Sequence, residues 1–435
     1  MRTQAAYTFT LTQVLLVTLL IGLFGSVTNL IFVSPLPSLL SVVLLPWYFY
    51  QRRDATLRVP RFVGYLYLYF AFSLVGVLIY HPVSLTTFRF YRYDGNFIIS
   101  YAPLLLIPFF RYEFNAARLF KLFLVFATIV NGGAFLLNLF VTRFAAITDW
   151  SNPETYFHGL FRSTNAAGGF LSIMLSLNIV VLGYERRKKW LITLVLNSLF
   201  LIATTSRGSL LGLFAGFAFF YLDKFNRRWL ILAGVAVICA VQAGILYFTY
   251  PIFNEYIRDA NLSETSPNTY ISPLFGPVGT KSANLIIRAV DTWPRGVDCF
   301  IHSPLIGAGF GSVNDTPLQY SGINYVVSLN SQPRKVFDDA HAHHSYFHIL
   351  GEQGLLGLGI FLTFWLAVYR FLRRQPPGIV RNFLLVSYFN LTIMSFTEHR
   401  ITSPSNALPF VIALCLYVLQ VNALRKESLA VRAVS

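Results

Sequence analysis

Four of the chain's eight histidines, His341, His343, His344 and His348, fall within eight positions of the string DDAHAHHSYFHILGEQGLLG that opens at Asp338. Imidazole is the side chain best suited to taking a proton near neutral pH, so the string holds a candidate general base, His343 first among them. These histidines stand where a polar loop meets an apolar helix, which puts the chemistry at a bilayer surface. His344, His348 and Glu352 also recur at i, i+4, i+8, so a divalent metal on one helix face is a second reading. No HExxH motif supports the metal, and a purely structural role for His344 and His348 is the third reading.

Arginine is the other ingredient. Thr205-Ser206-Arg207-Gly208-Ser209 interrupts an apolar stretch from Trp190 to Leu222. A guanidinium costs about 2.5–3.5 kcal/mol at the centre of a membrane helix, so Arg207 either snorkels at a hairpin tip or meets an anionic partner. Gly208 and Ser209 leave room for such a partner and for amides at the start of the next helix. Further on, Arg288 precedes Trp293, Asp298 and the string HSPLIGAGFGS (302–312), whose glycines permit tight turns against a ligand or another loop. Two more clusters are HGLFRSTN (158–165) and Thr397-Glu398-His399-Arg400.

The elements that carry these residues are membrane spans. Hydrophobic residues make up 55% and charged residues 12% of the 435 positions, and apolar runs of about 20 residues recur. The chain reads as an all-α polytopic membrane protein. Twelve spans are expected, near 7–26, 29–50, 62–80, 96–110, 121–141, 166–184, 190–206, 209–223, 229–250, 346–369, 382–397 and 405–423. The first is read as a retained helix, since no small-residue cleavage site follows it. The net charge of +16 sits mostly in short basic loops such as Arg186–Lys189, which is the mark of positive-inside topology rather than of nucleic-acid binding. Both termini are then cytoplasmic. Three units follow: helices 1–9 over 1–250, a long loop subdomain over 251–345, and helices 10–12 with a tail over 346–435. Cys239 and Cys415 lie in apolar runs and Cys299 alone in a loop, so no disulfide is expected.

That topology places Arg162, Arg207, Arg288, His343 and His399 on the opposite side from the basic loops. Cations kept where topology disfavours them imply an anionic partner, and arginine suits bidentate phosphate binding.

In order, HGLFRSTNAAGGF, SRGSLLGL, the Arg288–Trp293–HSPLIGAGFGS stretch and HAHHSYFHILGEQGLLG resemble the motifs of the O-antigen ligase and Wzy-type polymerase superfamily, over most of the C-terminal two-thirds. His344 replaces that family's usual Asn, and Arg162-Ser163 its Gly or Asn and Pro. The resemblance implies a GT-C-like glycosyltransferase of lipopolysaccharide biosynthesis in a bacterial inner membrane. It would transfer a glycan from undecaprenyl diphosphate to a hydroxyl of lipid A–core at the periplasmic face, inverting the anomeric carbon. It implies no metal, no cofactor and no nucleic acid, with membrane lipids as surroundings. It assigns His343, Arg207 and Arg288 to catalysis, and Arg162, His341, Tyr346, Glu398, His399 and Arg400 to substrate contacts. A polymerase joining repeat units on the carrier lipid is the nearest alternative. A transporter would place charges nearer the membrane midplane, and a scaffold would need none of these residues.

Overall fold

The computed structural model describes residue 13 and residues 16–28, 60–80, 95–105, 115–141, 157–161, 163–262, 271–272, 276–277, 288–309, 313 and 342–434. These residues are almost entirely helical. We number the helices α1 (Leu16–Gly25), α2 (Arg61–Tyr80), α3 (Gly95–Leu105), α4 (Ala116–Val141), α5 (Thr164–Glu185) and α6 (Lys188–Ala203). After them come α7 (Arg207–Lys224), α8 (Arg228–Leu262), α9 (Trp293–His302), α10 (Ser345–Arg373), α11 (Ile379–Met394) and α12 (Pro404–Val434). A π-helical turn, Arg288–Thr292, leads into α9, and the long loop holds one two-residue antiparallel pairing of Ile271–Ser272 with Gly276–Pro277.

The chain is a helical polytopic membrane protein. Five described helices are long and apolar enough to cross a bilayer: Arg61–Ile79, Ala116–Phe140, Thr164–Glu185, Arg228–Pro251 and Ser345–Arg373. Three shorter apolar helices join them, Leu16–Gly25, Ile379–Met394 and Ser405–Val421. The expected span at 29–50 lies outside the described residues. Twelve crossings therefore remain what the sequence predicts, not what the described helices amount to.

Burial separates the centre from the rim. Along α12, Ala407, Leu408, Val411, Leu414 and Val418 are fully buried, whereas Leu232, Val237, Val241 and Phe248 of α8 are exposed by more than half. The outward apolar side chains of α2, α4 and α8 suit lipid contact. Lipid offers no hydrophobic drive between helices, so close backbone approach and interhelical hydrogen bonds must hold the centre. At the α7–α11 contact, a Cβ on Gly212 would lie 2.2 Å from the Met394 side chain, and one on Gly216 would lie 3.0 Å from Asn390. Asn390 Nδ2 donates to Ser172 Oγ of α5 at 3.1 Å, fastening α11 to α5 with one amide.

The two ends of the bundle differ in charge. At one end Asp223 Oδ1 accepts from Arg228 Nε at 3.2 Å and from Tyr369 Oη at 2.5 Å, and Arg373 Nε is 3.5 Å away. Lys121 pairs with Glu185 at 2.7 Å at the same end. Most of the described basic residues stand there. The other end gathers the starts of α5, α7, α10 and α12 and the end of α11.

The glycine-rich string beside Ser303 does not wait for a ligand. Inside α10, Gly354 leaves helical geometry (φ 62°, ψ −164°), which frees two carbonyls and two amides. Segment 304–309 takes them all up: Ala308 N donates to Gly351 O and Gly309 N to Glu352 O, while Leu355 N donates to Pro304 O and Leu356 N to Leu305 O, all at 2.9–3.0 Å. The broken helix and the loop thus complete each other's hydrogen bonding. Gly354→Ala would add a Cβ 2.4 Å from the Leu305 carbonyl carbon in a positive-φ, extended-ψ conformation essentially restricted to glycine, costing roughly 1–3 kcal/mol by itself. A clear drop in apparent melting temperature in detergent is expected. Gly359→Ala, with nothing within 4 Å of its added Cβ, should leave that temperature unchanged.

Candidate active site

Glu398 is the hub of the polar end. It lies in the connection between α11 and α12, buried at 6% exposure, and both its oxygens are engaged. Oε1 accepts from Arg288 Nη2 and, at 2.8 Å, from Asn165 Nδ2. Oε2 lies 3.0 Å from His343 Nδ1. Arg288 also donates through Nη1 to the Thr397 carbonyl at 2.8 Å. One carboxylate therefore joins a residue of the loop turn, a residue at the start of α5 and the residue two positions before α10.

Burial alone would push the Glu398 carboxyl up, but Arg288, His343 and Arg400 outweigh it and hold the group well below the usual carboxylate range. An ionised Glu398 accepts a hydrogen bond from His343 Nδ1–H. That fixes the tautomer and leaves Nε2 as the lone-pair nitrogen of a neutral ring. The His343 side chain is 29% exposed where Glu398 is 8% exposed, so the basic nitrogen is reachable and its partner is shielded. His343 has φ 45°, a left-handed conformation rare outside glycine and frequent at functional sites. Thr205, two residues before Arg207, has φ 53°.

Two further arginines flank this pair. Arg400 is 3% exposed and donates through Nη1 to the Asn165 carbonyl and to Asn406 Oδ1. Its Nε and Nη2 find no hydrogen-bond partner among the described residues. Burial lowers Arg400 to about 10, with Glu398 opposing that fall and Arg288 adding to it, so it stays a cation at neutral pH. Arg207 opens α7 and is exposed, and among the described residues no ion pair or hydrogen bond involves its side chain. The next residue, Gly208, packs so closely on Thr397 that an added Cβ would lie 2.6 Å from Oγ1. That brings the start of α7 against the residue whose carbonyl Arg288 holds. Arg207, Arg288 and Arg400 set against Glu398 leave an excess of positive charge here, and the chemistry this suits is the holding of an anion beside a base.

The remaining histidines have other tasks. His344 caps α10, its Nδ1 accepting from Phe347 N at 3.1 Å, which is what an Asn side chain would do at that position. Its Nε2 lies 3.1 Å from Gln242 Oε1. His348 pairs with Glu352 at 3.2 Å inside the bundle, and its ring lies 4.5 Å from that of His399. The face His344–His348–Glu352 does not converge, because His344 turns to α8. Among the described residues no group of three His, Cys, Asp or Glu could hold a metal ion.

Burial lowers the His344 imidazole from 6.5 to about 3. Between those values the unfolded chain binds a proton that the folded chain refuses, so stability falls as pH falls. The slope approaches about 1.4 kcal/mol per pH unit. His344→Asn keeps a capping acceptor and should flatten this part of the dependence. Apparent melting temperatures between pH 6.5 and 4 would measure it.

Of the residues expected to act, Arg288, His343 and Glu398 come together directly, and the start of α7 brings Arg207 alongside. Arg400 is turned inward. Tyr346 is also internal, donating to Thr392 O at 3.1 Å. His399 lies half-buried over His348. Arg162 and His341 fall outside the described residues. Asn165 closes the HGLFRSTN cluster, whereas no motif in the sequence points to Ser345 or Gln242 as site residues. Ser345 Oγ donates to Glu398 O at 3.2 Å and accepts from Arg400 N at 3.0 Å, and nothing in a lone Ser or Gln announces such a role.

Residues 192–362 match the family model Wzy_C, described as O-antigen ligase. No curated protein gives a match. The matched span contains Arg207, Arg288 and His343, while Glu398, Asn165 and Arg400 lie beyond its limits. In coarse terms the match supports a membrane enzyme of the glycan ligase or polymerase type.

Proposed function

We propose, from the O-antigen ligase domain at residues 192–362, that this protein transfers a glycan from undecaprenyl diphosphate to a sugar hydroxyl of lipid A–core. The observation that carries the reading is the sharing of Glu398 by Arg288 and His343 at the end of the bundle away from the basic loops. A lipid diphosphate needs cations at a bilayer surface, and an attacking hydroxyl needs a base beside them. Both needs are met within one cluster.

In this reading the apolar tail of the donor lies along the outer helices while its diphosphate meets Arg207 and Arg288, with Arg400 adding field from below. His343 Nε2 takes the proton of the acceptor hydroxyl as that oxygen attacks the anomeric carbon. The bond from that carbon to the phosphate oxygen breaks, and its electron pair leaves with the diphosphate. Guanidinium groups already fixed in place stabilise the departing charge better than water does. Attack opposite the leaving group inverts the anomeric centre. Glu398 holds His343 in its basic tautomer and balances the proton it gains. No step calls for a metal or a nucleotide sugar. The site would face the periplasm of a bacterial inner membrane, with both termini cytoplasmic and 251–345 forming the loop subdomain over it.

Purified protein offered the lipid-linked donor with lipid A–core, or with donor alone, tests the choice of acceptor. Glycan joined to lipid A–core is the expected product. Ladders of extended glycan on the carrier lipid, formed without lipid A–core, would make the enzyme a polymerase instead. Uptake of a substrate without any transfer would make it a transporter.

A further inference from the structure

Gln242 sits in Arg228–Pro251, the least buried of the five described helices long enough to cross a bilayer, at 11%. It is itself 7% exposed, beside Val241 at 57%. A primary amide inside a span is retained where both its halves are paired, and here they are. Nε2 donates to the Phe396 carbonyl at 2.7 Å, and Oε1 lies 3.1 Å from His344 Nε2. Because His344 Nδ1 accepts from Phe347 N, the ring proton must be on Nε2 and is donated to Gln242. The amide orientation and the imidazole tautomer each require the other.

What the amide joins matters more than that it is paired. On one side is His344, whose peptide carries His343 in its left-handed conformation. On the other is Phe396, two residues before Glu398. Gln242 therefore spans the two chain segments that hold the His343–Glu398 pair. His344 is also packed by Phe347, its ring stacked at 3.8 Å, and by Trp293 at 5.8 Å, so a pull on its Nε2 passes into the backbone rather than into ring rotation. Conformations of this kind persist where the surroundings over-determine them.

We propose that Gln242 is a positioning residue for the transfer reaction, setting the separation of His343 from Glu398 through His344. This rests on the reading of His343 as the base. Gln242→Leu fills similar volume and removes both hydrogen bonds. It should lower kcat about 10- to 100-fold, the scale of a misplacement near 1 Å, with the KM for the undecaprenyl-diphosphate donor unchanged. In solid-state spectra of protein labelled with ¹⁵N-histidine, the His343 ring signals, assigned by their loss in His343→Asn, should move in Gln242→Leu. A folded Gln242→Leu protein with wild-type kcat and unmoved His343 signals would overturn the proposal and leave the transferase reading standing. Should wild-type protein transfer no glycan, that reading fails and the role in transfer with it, and the spectra then test the geometric link alone: unmoved signals refute a hold of Gln242 on His343 and moved signals support it. If Gln242→Leu does not fold, His344→Asn, which keeps the cap but loses the link to Gln242, gives the same two readouts with the same consequences.

Discussion

Replacing His343 with alanine is expected to slow glycan transfer by about 10²–10⁴-fold, the range a positioned general base contributes, with little change in donor KM. His302 is another exposed imidazole near a buried carboxylate, 3.8 Å from Asp298 Oδ1, but His343 is the one whose carboxylate partner also holds Arg288. Arg288 would keep its bonds to Thr397 O and Glu398, so the anion-holding part should survive. His341→Ala, measured beside it in a single-turnover assay, should fall far less. Equal losses in the two variants would mean that the histidine string acts as a whole, or that His341 is the base.

Glu398→Gln should be nearly as severe, by about 10³–10⁴-fold in kcat, the scale found when the carboxylate behind a catalytic histidine becomes an amide. An amide can present its NH₂ to Nδ1, which moves the ring proton to Nε2 and removes the lone pair the reaction needs. The same substitution takes the counter-charge from Arg288, and breaking a buried pair by removing one partner costs about 3–5 kcal/mol. Arg288 is 16% exposed, so the loss here should lie at the lower end. Rate and melting temperature must therefore be read on the same preparation. Glu398→Asp keeps the charge but shortens the reach to two partners, and should fall between the wild type and the amide. A Glu398→Gln enzyme with full activity would remove the carboxylate from the reaction. Because the Glu398 carboxyl is held well below the usual range, its pairing is present at neutral pH and is lost only as pH falls through that lowered value. Activity between pH 6 and 8 should carry no step from its titration.

The sequence spoke clearly where chemistry and topology pull against each other. Arg207, Arg288 and His343 were legible because charged groups stood out in apolar surroundings on the face that should be poor in them. Glu398 was visible among the substrate contacts that the resemblance implies, but its sharing between Arg288 and His343 depends on pairings more than 50 residues apart, which no local pattern encodes. Gln242 was silent for a similar reason: one amide in a span gains meaning only from what lies opposite. The glycine string beside Ser303 permitted either a ligand or another loop, and the kink at Gly354 decides for the chain itself. His344 stands where the family that the sequence resembles has Asn, yet its Nδ1 performs the capping an Asn oxygen would, so the change is smaller than the letters suggest.

The most direct measurement is the product balance of the purified wild-type enzyme in vesicles, given undecaprenyl-diphosphate-linked glycan and lipid A–core. One lipid diphosphate released for each glycan joined, with the anomeric configuration inverted, is the predicted result. Retained configuration, or glycan joined without release of lipid diphosphate, would contradict direct attack by a hydroxyl that His343 deprotonates.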